Sequence, residues 1–121
     1  IWDREEGFMG ARKPAEERFY PRYISVRETF DGQLLLQGTP LDAKVLDVSR
    51  DGLGVLGDRA LNRGDALELH VVGKTLQFQV AHSHADLIFK GKFRWGLRRV
   101  GSADNLVSLF TLHGFIDKKE A

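Results

Sequence analysis

From residue 20 onward, apolar residues recur at every second position in short runs broken by glycine. In "DALELHVVG" Leu67, Leu69 and Val71 alternate with Glu68 and His70, and in "TLQFQVAH" Leu76, Phe78 and Val80 alternate with glutamines. A period of two buries one side of each run and leaves the other in water, which is the pattern of antiparallel strands. "YISVRETF", "QLLLQG", "AKVLDVS", "GLGVLGD" and "FKGKFRWGLR" complete a series of about six or seven. Asp31-Gly32, between the first two of these, reads as a hairpin turn. Short strands at regular spacing argue for a small antiparallel barrel or sandwich. The last segment differs: Leu106, Leu109, Phe110 and His113 fall at helical spacing behind Ser102, a candidate N-cap. A C-terminal helix over an open end of the barrel is predicted.

At 121 residues the chain is one domain with room for a core. It has no cysteine, which removes disulfides, thiolate zinc sites and thiol nucleophiles and fits a reducing compartment, so the expected location is cytoplasmic. No apolar run approaches the roughly 20 residues of a membrane span, and no secretory leader is visible. The chain opens on Ile and is read as a piece of a longer protein. Residues 1–17, "IWDREEGFMGARKPAEE", mix both charges with Gly and Pro and keep no period, so a flexible arm is expected before a domain at 18–121. Eighteen Lys and Arg against 17 Asp and Glu give a net charge of +1. That balance argues against a DNA or RNA binder, whose affinity comes from neutralising many phosphates. Any anionic ligand must be small and held by a local cluster.

The stretch "DVSRDGLGVLG" at 47–57 carries two conflicting signals. Gly52, Gly54 and Gly57 form a G-x-G-x-x-G, but a dinucleotide turn must open a helix, and "DRALNRGDALELHVV" is too short and too interrupted for one. The glycines are better explained by crowding or twist in a barrel strand. Asp47 and Ser49, at i and i+2 on a strand, are expected to share its outer face while Leu46 and Val48 point inward. An ionised Asp accepts hydrogen bonds only, which suits a guanine N1–H and exocyclic amine. Gly52 would then supply a turn, or room for a ligand. The plain alternative is an Asp/Ser turn bonded to its own backbone.

Upstream, "ERFYPRY" sets Arg18 and Arg22 four apart around Pro21, which biases the segment toward extended geometry. Their α-carbons then lie about 13 Å apart on one side, a base from which two guanidinium forks can close on one anion or a guanine edge.

In this order and at this interval, Arg18-Phe-Tyr-Pro-Arg22 and Asp47-Val-Ser49-Arg-Asp-Gly52 resemble the R-x-x-x-R and D/N-x-S-x-x-G motifs of the PilZ domain family. The similarity covers residues 17–113. The resemblance implies a six-stranded antiparallel β-barrel of the split-barrel type with a C-terminal α-helix, and a receptor for the bacterial second messenger cyclic di-GMP. It implies that Arg18 and Arg22 grip phosphates and guanine Hoogsteen edges, that Asp47 and Ser49 contact a guanine and the sugar–phosphate, and that Gly52 shapes the turn. Binding would order the N-terminal arm and reorient an attached domain or downstream protein partner. Glu17 stands where many members carry a further arginine that holds a ligand dimer, so one ligand per domain is expected, with Lys13 or the downstream basic strand as compensation.

In "FKGKFRWGLRR" the odd positions Phe89, Phe93, Trp95 and Leu97 are apolar, while Lys90, Lys92, Arg94 and Arg98 share the other face. This reads as a barrel strand with a basic solvent side, from which Arg94 or Arg98 can reach the ligand; Arg98 joins the site residues. His82 and His84 share a strand face as half of a metal site, but no third ligand is evident and no metal or other cofactor is expected. There is no G-x-S-x-G, no H-E-x-x-H and no framed carboxylate pair, so no catalysis is expected. Two other functions compete. One is a nucleotide-independent interaction module on the same barrel. The other is a single-strand nucleic-acid face with Phe19, Tyr20 and Tyr23 as stacking platforms, against which the charge balance argues.

Overall fold

The computed structural model describes residues 23–102 and 104–116. The arm at 1–17, with Lys13 and Glu17, and both arginines of the first motif, Arg18 and Arg22, lie outside the described residues.

Among the described residues eight strands precede one helix: β1 (Ile24–Ser25), β2 (Gln33–Leu36), β3 (Thr39–Pro40), β4 (Ala43–Val48), β5 (Gly52–Gly57), β6 (Ala66–Val71), β7 (Lys74–Ala85), β8 (Phe93–Val100) and α1 (Leu106–Leu112). They make a single antiparallel sheet in the order β1-β4-β5-β8-β7-β6-β2-β3, curled into a half-barrel. The antiparallel barrel-like sheet expected from the sequence is present as a half-barrel, and its strand count among the described residues is eight where six were expected. The two extra strands, β1 and β3, are two-residue edge pieces. They are too short for alternation to reveal, and they do not pair with each other.

The predicted alternation places the core. Leu67, Leu69 and Val71 of β6, Leu76, Phe78 and Val80 of β7, and Trp95 and Leu97 of β8 are all buried. Each such side chain contributes on the order of 1.5–3 kcal/mol through the apolar surface it removes from water. Helix α1 adds Leu106 and Phe110, one turn apart, to the same core. Phe110 stacks on Phe30 at 5.3 Å between centroids, and Phe115 meets Phe30 edge-on at 4.8 Å. Those rings fasten the helix to the loop after β1. The helix is capped by Asn105, whose Oδ1 accepts from Val107 N at 2.9 Å and Ser108 N at 3.4 Å. Ser102 is not the cap, because its hydroxyl accepts from Asp104 N at 3.2 Å in a separate turn. Among the described residues no helix is long and apolar enough to cross a membrane.

Asp31-Gly32 does not join a hairpin: β1 pairs with β4, and β2 pairs with β6. The tight turns are instead Gln37-Gly38 (φ 51° and 83°) and Val72-Gly73 (φ 46° and 75°), each with two left-handed residues as type I′ geometry requires. The run at 89–92 is also not strand. β8 starts at Phe93, and Phe89, Lys90 and Lys92 sit in the β7–β8 connection, where Gly91 has φ 82°.

Candidate ligand-binding face

The second motif begins on β4, whose register against β5 slips by one residue. Val45 pairs with Val55 and Asp47 with Gly54, leaving Leu46 as the extra residue of a bulge. Bulges re-aim side chains, and this one turns both Val45 and Val48 inward and leaves Leu46 half-buried. The inward pair is therefore Val45 and Val48, where the sequence pattern put Leu46 and Val48. Asp47 faces outward, opposite Gly54.

Ser49 does not join it on a strand face. It lies beyond the end of β4 and is 0% exposed, with its backbone N–H donating to Gly52 O at 2.9 Å and its hydroxyl 3.5 Å from the same oxygen. It closes the β4–β5 turn. Gly52 does not have a left-handed φ there. What demands glycine at 52 is space, because a Cβ would stand 2.6 Å from Leu97 O and 3.6 Å from the Tyr23 hydroxyl.

Register carries the site across three strands. Gly52 pairs with Arg98 and Gly54 with Gly96, and on the next strand Arg98 pairs with Gln79 and Gly96 with His82. Gly52, Gly54 and Gly96 form a floor without side chains on the outer face. The Asp47 carboxylate lies over Gly54, and the His82 imidazole lies over Gly96. Gly57 points the other way, under the Trp95 indole, whose Nε1–H donates to Arg59 O at 2.8 Å. The G-x-G-x-x-G is thus a strand packed on both faces. It opens no helix.

Cations surround this floor. Arg98 is exposed and donates from Nη2 to Gln79 Oε1 at 3.3 Å. Arg98 and Arg63 line a hollow of about 150 Å³ with Gly64 and Gln79. Arg94 has Nε 3.4 Å from Asp86 Oδ1. Burial pushes the Asp47 carboxyl above its ordinary range, opposed by the Arg94 charge and by the Gly54 backbone hydrogen bond. A partly desolvated acceptor near Arg94, on a face whose register also carries the exposed Arg98, suits a ligand that offers both N–H donors and anionic oxygens.

His82 and His84 do share a face, with rings stacked 5.6 Å apart. Among the described residues no cluster of three or more His, Cys, Asp or Glu side chains gathers to hold a metal. A larger hollow of about 740 Å³ lies between α1 and the β6–β7 turn, lined by Lys74, Arg99, Asp104 and Leu112 among others, and contains no motif residue. No protein-family model, curated protein or solved structure matches this chain.

Asp47, Gly52 and Arg98 come together on the outer face, with Ser49 buried beside them. Tyr23, Gln79 and Arg63 join them although the sequence reading gave them no part in this site. Only the register of β4, β5, β8 and β7 brings these residues together, and short polar patterns do not reveal it.

Proposed function

We propose that this chain is a cyclic di-GMP receptor domain of the PilZ kind, without catalytic activity. One observation carries the reading: β1 pairs Ser25 with Asp47. Ser25 follows Arg22 by three positions, a span of at most about 11 Å. That reach would allow Arg22, 25 residues before Asp47 in sequence, to meet the edge of the sheet that carries Asp47.

In this mechanism the ionised Asp47 accepts from a guanine N1–H and exocyclic amine above the Gly54 floor. Arg98 exchanges Gln79 for a phosphate or a guanine edge. Arg18 and Arg22 close from the arm onto the phosphates, and charge-assisted hydrogen bonds offset the roughly 1–2 kcal/mol per residue needed to order the backbone. Ser49 and Gly52 hold the turn that positions Asp47. Ordering of the arm passes the signal to an attached domain or a protein partner. With Glu17 beside Arg18, one ligand per domain is favoured.

The test is isothermal titration of cyclic di-GMP into the chain and into Arg22→Ala and Asp47→Ala. Saturable binding lost in both variants supports the reading. Absence of heat, together with no competition by the nucleotide in a second assay, overturns it.

A further inference from the structure

Large apolar side chains exposed on this protein mostly stand singly, as on most surfaces. The β7–β8 connection is different. Leu87, Ile88 and Phe89 are consecutive and are 98%, 81% and 52% exposed. They are held there by a built turn. Asp86 Oδ2 accepts from Ile88 N at 2.9 Å and Phe89 N at 2.7 Å, Lys92 N donates to Phe89 O at 3.0 Å, and Asp86 N donates to Lys92 O at 2.9 Å. A turn closed by four hydrogen bonds cannot readily fold its apolar side chains back onto the sheet. The chain presents them to solvent at a standing cost in apolar hydration.

The charges around the tip are one-sided. Lys90 and Lys92 are exposed at its base. Asp86 is the only acid in 84–94, and its side chain is 6% exposed, turned inward to the two amides and to Arg94. Asp58, whose carboxyl the Lys92 charge helps to lower, is engaged chiefly by Arg59 through hydrogen bonds of 3.0 and 3.3 Å. The hairpin therefore ends in an apolar point with a cationic collar, and the two acids described beside it, Asp86 and Asp58, are both engaged.

We propose that this hairpin tip docks the domain on an anionic lipid bilayer. Leu87, Ile88 and Phe89 enter the boundary between headgroups and acyl chains, and Lys90 and Lys92 remain at the level of the lipid phosphates. Apolar burial and attraction to anionic lipid add in such a contact, and lysine stems reach easily from an apolar level to a charged one. The convex, three-residue point favours a bilayer over a protein partner, which would need a matching pocket. The tip and the glycine-floored face lie on the same hairpin, since Arg94 pairs with His84 and Gly96 with His82. Docking would thus set the ligand-binding face close to the membrane. The proposal does not depend on which ligand that face takes.

The experiment is co-sedimentation of the chain with vesicles of phosphatidylcholine alone and of phosphatidylcholine with phosphatidylserine. Leu87→Ser/Ile88→Ser and Lys90→Glu/Lys92→Glu are compared with the unaltered protein, and all of these positions are exposed, so unchanged thermal melting controls for folding. The expected result is binding to the anionic vesicles that weakens about tenfold or more in either double variant and in high salt. Failure of the unaltered protein to sediment, or equal sedimentation of all three proteins, overturns the proposal. So does a concentration-dependent dimer that Leu87→Ser/Ile88→Ser abolishes, which would assign the tip to a second copy of the chain.

Discussion

The carboxylate of Asp47 occupies the space in which any side chain at Gly54 would stand. The two residues are cross-strand partners at the β4 bulge, and the missing side chain at 54 lets the carboxylate lie flat on the sheet. In Gly54→Ala the Asp47 side chain has to swing away, which it can do because its outer end is part-exposed. On the proposed reading the expected result is cyclic di-GMP affinity lowered about tenfold or more with the melting temperature moved by less than about 3 °C. Titration and thermal melts on the same preparation check it.

Gly57 gives the opposite outcome. Its missing side chain is filled by the Trp95 ring, which is 0% exposed and tied to Arg59 O. The indole cannot move without losing that hydrogen bond or disturbing the core. Gly57→Ala is therefore expected to destabilise by about 1–3 kcal/mol, as overpacking of a tight core does. In denaturant melts this appears as a lower midpoint with an unchanged slope.

Asp47 sets stability against the binding role proposed for it. Burial raises its carboxyl above the ordinary 3.8, so the native state binds its proton more tightly than the unfolded chain does. The ionised form therefore costs stability at neutral pH, and that cost disappears as pH falls through the raised value and below 3.8. Asp47→Asn is expected to melt higher at neutral pH, by about 1–3 °C for a group still half in water, with the gap closing on acidification. On the proposed reading, ligand affinity falls modestly in the same variant, since the amide keeps one acceptor oxygen for a guanine donor, as the D/N alternative of the motif allows, but loses the charge-assisted bond. A pH series of melts and titrations on both proteins separates the two effects.

The long strands were legible because their cores obey a strict period of two, as Leu67, Leu69 and Val71 do. Asp47 was also legible as an outward group, although its orientation depends on a bulge that the sequence does not announce. Alternation alone would have put Leu46 inward, and the bulge moved that role to Val45. Ser49 misled for a related reason: the strand stops at Val48, so the i, i+2 rule no longer applies. Asp31-Gly32 carried the stronger turn signal, yet Gly32 packs against Phe30 and Leu69 in a loop. The hairpins used Gln37-Gly38 and Val72-Gly73, whose first residues are poor at left-handed geometry. Pairing between strands distant in sequence decided these cases.

Val72 is the most costly of those turn residues. It sits at φ 46°, where a β-branched side chain crowds its own backbone, and it is 44% exposed, so little packing compensates. Asparagine tolerates this conformation and, ahead of Gly73, completes the preferred Asn-Gly pair of a type I′ turn. The turn joins β6 to β7, whose six paired positions run from Ala66↔Gln79 to Val71↔Lys74. Val72→Asn is expected to stabilise the fold by about 0.5–1 kcal/mol through relief of local strain, leaving ligand binding unchanged because the turn lies outside the glycine-floored face. A higher denaturation midpoint with unaltered cyclic di-GMP titration is the expected pair of results. A lower midpoint would mean that the half-buried part of Val72 packs better than its conformation costs.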